Sequence, residues 1–241
     1  MADIFHDRQA RGWSRTGWLQ AYYTFSFGSF NDPTRMGFRA LRVINEDIIA
    51  GGSGFSEHAH DHFEILSFML AGELEHQDSA GNKGRLQAGD VQLISSGTGI
   101  KHSERNPAPE ASTHLFQIWL HGDADDHPPR YQLLKEALLN RGDKAGPRLV
   151  ASTTEQPGAL QLRAPVNIWA AAGQAGDRCA HQVAAGRYAW LQLLEGIVVV
   201  EVEGEAEPLE LRGGDALQLA TVSRVAVSAS TAARWLWFDL A

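Results

Sequence analysis

The sequence predicts an all-β chain of two tandem jelly-roll β-barrels with a short connecting helix. Three observations carry that expectation: recurrent short apolar runs, one internal repeat, and one isolated stretch of helical spacing.

Runs rich in Val, Ile, Leu, Phe and Trp recur between Gly, Asp and Asn, as at 38–45, 65–70, 91–94 and 115–120. Their length and punctuation read as strands. In the repeat, Leu70-Ala71-Gly72 is followed 17 residues later by Gly89-Asp90, and Leu194-Glu195-Gly196 is followed 18 residues later by Gly214-Asp215. Each half therefore reads as strand, glycine turn, hairpin and Gly-Asp turn into a further strand. Antiparallel strands in this pattern close into barrels, which removes exposed edges. The helical candidate is 130–140, where Tyr131, Leu134, Ala137 and Leu138 fall on one side between Pro128-Pro129 and Gly142. It sets the expected division into domains at 1–130 and 131–241.

Composition narrows the function classes. The formal charge is −8 and the basic residues are scattered, so direct nucleic-acid binding is not expected. Residues 1–15 hold no apolar h-region, and no stretch approaches the ~20 apolar residues that span a bilayer. A monomeric, cytoplasmic protein without membrane contact is the expectation. Cys179 is the only cysteine, which excludes an intrachain disulfide and a thiolate cluster. Any metal is then held by histidine and carboxylate.

The densest chemical signal is Gly54-Phe55-Ser56-Glu57-His58-Ala59-His60-Asp61-His62-Phe63-Glu64. Residues two apart on a strand share a face, so His58 and His60 can reach one ion. A divalent ion wants further donors. Gly97-Thr98-Gly99-Ile100-Lys101-His102-Ser103-Glu104 offers them, because His102 and Glu104 are again two apart behind turn-forming glycines. Three imidazoles and one carboxylate make a non-haem metal sphere. The bland alternative, scattered surface histidines, is weakened by the second pair. His62 and Glu64 share the parity of the first pair; Glu64 is read as an acceptor orienting a ligand histidine rather than as a ligand. His76 and His114 lack paired spacing and are read as satisfied core or hairpin histidines. Cys179, with only His181 nearby, is read as a packed residue.

The second half is an internal control. Counting from its glycines as the first half is counted lands on Gln182, Ala184, Val227 and Ala229, none of which holds a metal well. The second barrel is expected to be structural.

On these motifs the sequence resembles the pirin family of cupins, whose signature joins a His-x-His to a His-x-Glu in a Gly-rich segment. The matching stretches are Tyr23-Thr24-Phe25-Ser26-Phe27, Met36-Gly37-Phe38, Leu41-Arg42-Val43-Ile44-Asn45, His76-Gln77-Asp78-Ser79 and Gly97 through Asn106. The likeness covers the first half almost continuously and the second in outline, as at Trp237-Phe238-Asp239-Leu240. Ala59 stands where the family often has Pro, and Asp61-His62 where it has a basic residue and then Gly or Asp. The resemblance implies that His58, His60, His102 and Glu104 are the metal ligands, with iron(II) first; nitrogen and oxygen donors also admit Mn, Co, Ni, Cu or Zn. It further implies a quercetin 2,3-dioxygenase activity on a flavonol-like aromatic substrate and dioxygen, with Glu104 as the catalytic base. Two alternatives stay open: a non-catalytic, metal-sensing regulator acting through a protein partner, and a cupin using the metal as a Lewis acid without oxygen.

Overall fold

The structure is a computed structural model that describes residues 3–122, 126–138, 146–220 and 224–241. Short strands dominate because the apolar runs are β-branched or aromatic and end at glycine turns. In chain order they begin β1 (Ile4–His6), β2 (Gly12–Arg15), β3 (Leu19–Tyr23), β4 (Leu41–Ile49), β5 (Gly54–His60) and β6 (Phe63–Ala71). They continue β7 (Glu73–Asp78), β8 (Lys83–Gln87), β9 (Val91–Ser95), β10 (Ile100–Arg105), β11 (Thr113–His121) and β12 (Arg130–Leu134).

One compact unit comprises Arg11–Ala137 and Thr153–Ala164. Its strands form a seven-stranded sheet, β12-β9-β6-β11-β4-β3-β2, and a four-stranded sheet, β5-β10-β7-β8. Among the described residues its strands pair antiparallel throughout, as in a jelly roll. Ile49, Met69, Leu74, Leu86 and Leu115 pack between the two sheets.

The other unit comprises Met1–Ala10, Leu138–Ser152 and Pro165–Ala241. Its smaller sheet runs Arg178–Gln182, Arg224–Ala229, Ile197–Val202 and Leu209–Arg212 in spatial order. That order repeats β5-β10-β7-β8. A large apolar cluster including Leu191, Val200, Val227 and Trp237 fills it. The repeat extends to individual hydrogen bonds. Met69 exchanges backbone bonds with Gly89 and Asp90 as Leu193 does with Gly214 and Asp215. The Asp90 and Asp215 carboxylates each accept from the backbone N–H three residues back.

One expectation differs from the structure. The stretch expected to be helical begins instead as β12, paired from Arg130↔Ser95 to Leu134↔Val91. Lys135–Leu138 is a turn, and residues 139–140 lie outside the described residues. Among the described residues there is no α-helix and hence no helix able to cross a membrane. The segments of the two compact units alternate along the sequence. The β1 strand pairs with Ala216–Leu219 of the second unit, while Gln161 accepts from Arg130 and Gln132 in the first.

Candidate metal centre

Adjacent strands β5 and β10 bring the predicted histidines together. His102 is the cross-strand partner of His58, and Ile100 of His60. Alternation puts His58, His60 and His102 on one face. Ring centroids stand 4.5 Å apart for His58 and His102, 4.7 Å for His58 and His60, and 5.0 Å for His60 and His102. One ring nitrogen from each lies within 4.8 Å of the others. The turn before β10 needs glycine at 97: its φ is +50°, and a Cβ there would stand 2.2 Å from the His127 carbonyl oxygen.

His58 Nδ1 lies 2.8 Å from the Ser56 carbonyl oxygen; a carbonyl only accepts, so Nδ1 is the donor of that bond. Burial first, then neighbouring imidazoles, holds His60 at about 4 and His102 at about 3. Both ring nitrogens of His102 are buried without a hydrogen-bond partner. Such orphaned nitrogens call for a further atom.

Glu104 is 1% exposed, and its carboxylate is held by neutral donors. Gln117 Nε2 donates to Oε2 at 2.8 Å, while Gln92 Nε2 and, at 3.5 Å, Ser67 Oγ donate to Oε1. Tyr131 donates in turn to the Gln92 carbonyl at 3.2 Å. Among the described residues no Lys or Arg pairs with Glu104. A buried carboxylate held this way is incomplete without a cation nearby. The donor set, three imidazoles and an oxygen ligand, suits a divalent transition-metal ion.

Behind His102 lies a pair that spacing alone did not single out. Burial hides the side chains of His76 and Asp78 completely, and His76 Nε2 contacts Asp78 Oδ2 at 3.0 Å. The His76 ring stacks on Tyr131 at 4.4 Å and stands 5.5 Å from His102. Potential donor atoms of His76, His102 and Glu104 lie within 4.8 Å of one another. The core-histidine reading of His76 holds for its Asp78 bond but misses this neighbourhood; the His-x-Asp at 76–78 was the available signal. His114 is satisfied by Glu46 at 2.9 Å, as expected.

Glu64 and His62 stay apart from the cluster. The straight strand assumed for their parity ends at His60, and His62 turns with φ +56°. Its ring lies 3.5 and 3.6 Å from Asp61 and Asp126. Glu64 does not orient a ligand histidine; it accepts from Ser95 Oγ at 3.1 Å and from the Arg163 backbone N–H at 3.2 Å.

A cavity of about 330 Å³ opens beside the histidines, in the size range of small-molecule sites. His58, His60 and Glu104 line one part; Phe27, Phe55 and Trp119 supply aromatic walls. Phe55 has the wrong parity for that face, but β5 is irregular between His58 and Phe55, where the register shifts. Such a bulge re-aims a side chain. Trp119 meets His60 edge-on at 4.6 Å and donates from Nε1 to the Gln117 carbonyl at 3.0 Å.

Among the described residues the second barrel has no equivalent centre. Val225 pairs with Val202 and His181 as His102 pairs with Asp78 and His58, so Val225 and His181 stand where His102 and His58 stand in the first barrel, and Val227 stands where Glu104 does. The counted position Gln182 misses His181 because the segment to Gly196 is one residue longer than its counterpart to Gly72. His181 stacks on Trp237 at 4.4 Å, and burial pushes the Cys179 thiol up to about 11.

Fold and site together define a two-barrel cupin with a candidate metal centre in its first barrel. The Pirin family model matches residues 5–120, and the quercetinase C-terminal cupin domain model matches residues 149–240. Quercetin 2,3-dioxygenase of Escherichia coli K12 is 36% identical over 95% of each chain. A pirin-like protein of Caulobacter vibrioides is 38% identical over 78% of this chain and 79% of its own. The crystal structure of the bacterial pirin YhhW from Escherichia coli in complex with nickel(II) superposes with a TM-score of 0.88 at 36% identity, covering 99% of both chains. The chain belongs to the pirin family.

Proposed function

We propose that the protein is a metal-dependent dioxygenase that cleaves a flavonol such as quercetin, with one divalent ion held by His58, His60, His102 and Glu104. The observation that carries this reading is the buried Glu104 carboxylate, without a Lys or Arg partner among the described residues, next to three imidazoles at the wall of an aromatic cavity. The relatives named quercetin 2,3-dioxygenase and the nickel-bound pirin support it. Iron(II) is the first candidate, and the donor set accommodates other divalent ions.

A bound redox-capable ion supplies Lewis acidity toward a substrate hydroxyl and electron exchange with dioxygen. The residues do the rest. Phe27, Phe55 and Trp119 hold the flavonol rings and exclude water from the reacting face. Glu104 takes the proton of the substrate hydroxyl on a carboxylate oxygen. Gln92 and Gln117 keep that carboxylate aimed by donating to each oxygen.

The test is loss of the visible absorbance of quercetin in air but not under nitrogen, with wild type and His102→Ala loaded in turn with Fe, Mn, Co, Ni and Cu. Turnover by wild type alone is expected. No turnover with any of the five metals transfers the assignment to a metal-sensing regulator, and turnover independent of oxygen transfers it to Lewis-acid chemistry.

A further inference from the structure

A polar row crosses the inward face of the seven-stranded sheet. Strand register aligns Tyr23, Asn45, Gln117, Ser67 and Gln92 across β3, β4, β11, β6 and β9. Three members, Gln117, Ser67 and Gln92, are engaged by Glu104. Asn45 is not: it is 3% exposed, and its side-chain carbonyl oxygen is buried without a partner.

Two residues along β4, on the same face, stands Asp47, also 3% exposed. Among the described residues no group hydrogen-bonds to its carboxyl; only burial and the charges of Glu104 and Glu46 act on it. The intervening Glu46 is fully engaged, bound to Arg11 and His114. Asn45 and Asp47 both line the cavity that holds His58, His60 and Glu104. Buried polar groups left unmatched cost stability and persist where a ligand completes them.

We propose that Asn45 and Asp47 anchor the organic ligand by hydrogen-bonding a ring hydroxyl remote from the oxygen directed at the metal ligands. The ligand class is then a polyhydroxylated aromatic, its rings seated against Phe27, Phe55 and Trp119. The inference rests on the flavonol reading and adds what selects among flavonols. A site built to bond a hydroxyl rejects the analogue that lacks it. Burial pushes the Asp47 carboxyl up to about 8, with Glu104 and Glu46 adding to the effect, and a neutral acid both donates and accepts.

The probes are quercetin and 3-hydroxyflavone, which share the metal-directed oxygens but differ in every other hydroxyl. Binding to nickel-loaded protein is measured under nitrogen. Wild type is expected to prefer quercetin by at least about 10-fold. Asp47→Ala and Asn45→Leu should bring that preference to about unity while 3-hydroxyflavone binds as before. Asp47→Ala should melt no lower than wild type, because no protein partner is lost; a structural role would lower the melting temperature and weaken both ligands. If one variant fails to fold, the other and Asp47→Asn, expected to keep most of the preference, carry the comparison. Equal affinity of wild type for both flavonols, or an undiminished preference in the folded variants, overturns the anchor and leaves the dioxygenase reading standing. Binding of neither flavonol overturns both.

Discussion

Gln117 donates from Nε2 to Glu104 Oε2 at 2.8 Å, and its own carbonyl accepts from Trp119 Nε1 at 3.0 Å. One amide thus couples the carboxylate of the candidate centre to an aromatic wall of the cavity. Because the amide is pinned at both ends, the carboxylate orientation is fixed before any ion arrives. Gln117→Leu should therefore weaken divalent-metal binding by roughly 10- to 100-fold. Competition with a chromophoric chelator measures this, and an unchanged Kd refutes the pre-setting role.

His76 supports His102 from behind. His76→Phe keeps an aromatic ring against Tyr131 but removes the nitrogen bonded to Asp78. It should lower metal affinity by about 10-fold and shift the visible spectrum of the cobalt-loaded protein. Asp78→Asn should do the same more weakly, because Asn82 and the Ala80 N–H also hold that carboxylate. An identical cobalt spectrum in His76→Phe would remove His76 from the metal environment.

Metal should stabilise the fold in proportion to its binding. At a nickel concentration 100 times Kd, the gain is about 2.7 kcal/mol, or roughly 5–10 °C in melting temperature. His102→Ala should show almost none of this shift. A comparable rise in both proteins would place the nickel elsewhere.

The second barrel should respond to acid through His181. Burial alone holds this imidazole at about 4, against 6.5 for an ordinary histidine in water. The unfolded chain therefore binds more protons between pH 6.5 and 4, so stability falls as pH drops through that window. The loss amounts to at most about 3 kcal/mol. His181→Phe preserves the stack on Trp237 and should flatten the dependence. Denaturant titrations from pH 7 to 4 check it, and equal slopes for both proteins would reject the assignment.

The candidate pairs were legible because strand alternation is local: His58 with His60, and His102 with Glu104, each need only a two-residue spacing. The glycine repeat was legible for the same reason, down to Gly89-Asp90 and Gly214-Asp215. What escaped depends on register. Arg130–Leu134 carries helical spacing, yet pairing with Val91–Ser95 overrides it. Phe55 reaches the cavity only through the irregularity in β5, and Asn45 joins Gln117 only through alignment across separate strands. The turn at Asp61-His62 broke the parity that had linked Glu64 to the candidate histidines.

The pairing of Ile4 with Gln218 joins residues 214 positions apart in the chain. Asp3 and Arg8 reinforce that seam, through Asp3 Oδ1 to the Ala220 N–H and the Arg8 N–H to Asp215 Oδ1. As the ribosome delivers the chain, Ile4–His6 wait unpaired until Ala216–Gln218 emerge. A tag or deletion ahead of Gly12 should consequently perturb the barrel that contains residues 165–241 more than the histidine-bearing barrel that follows Gly12 directly in sequence.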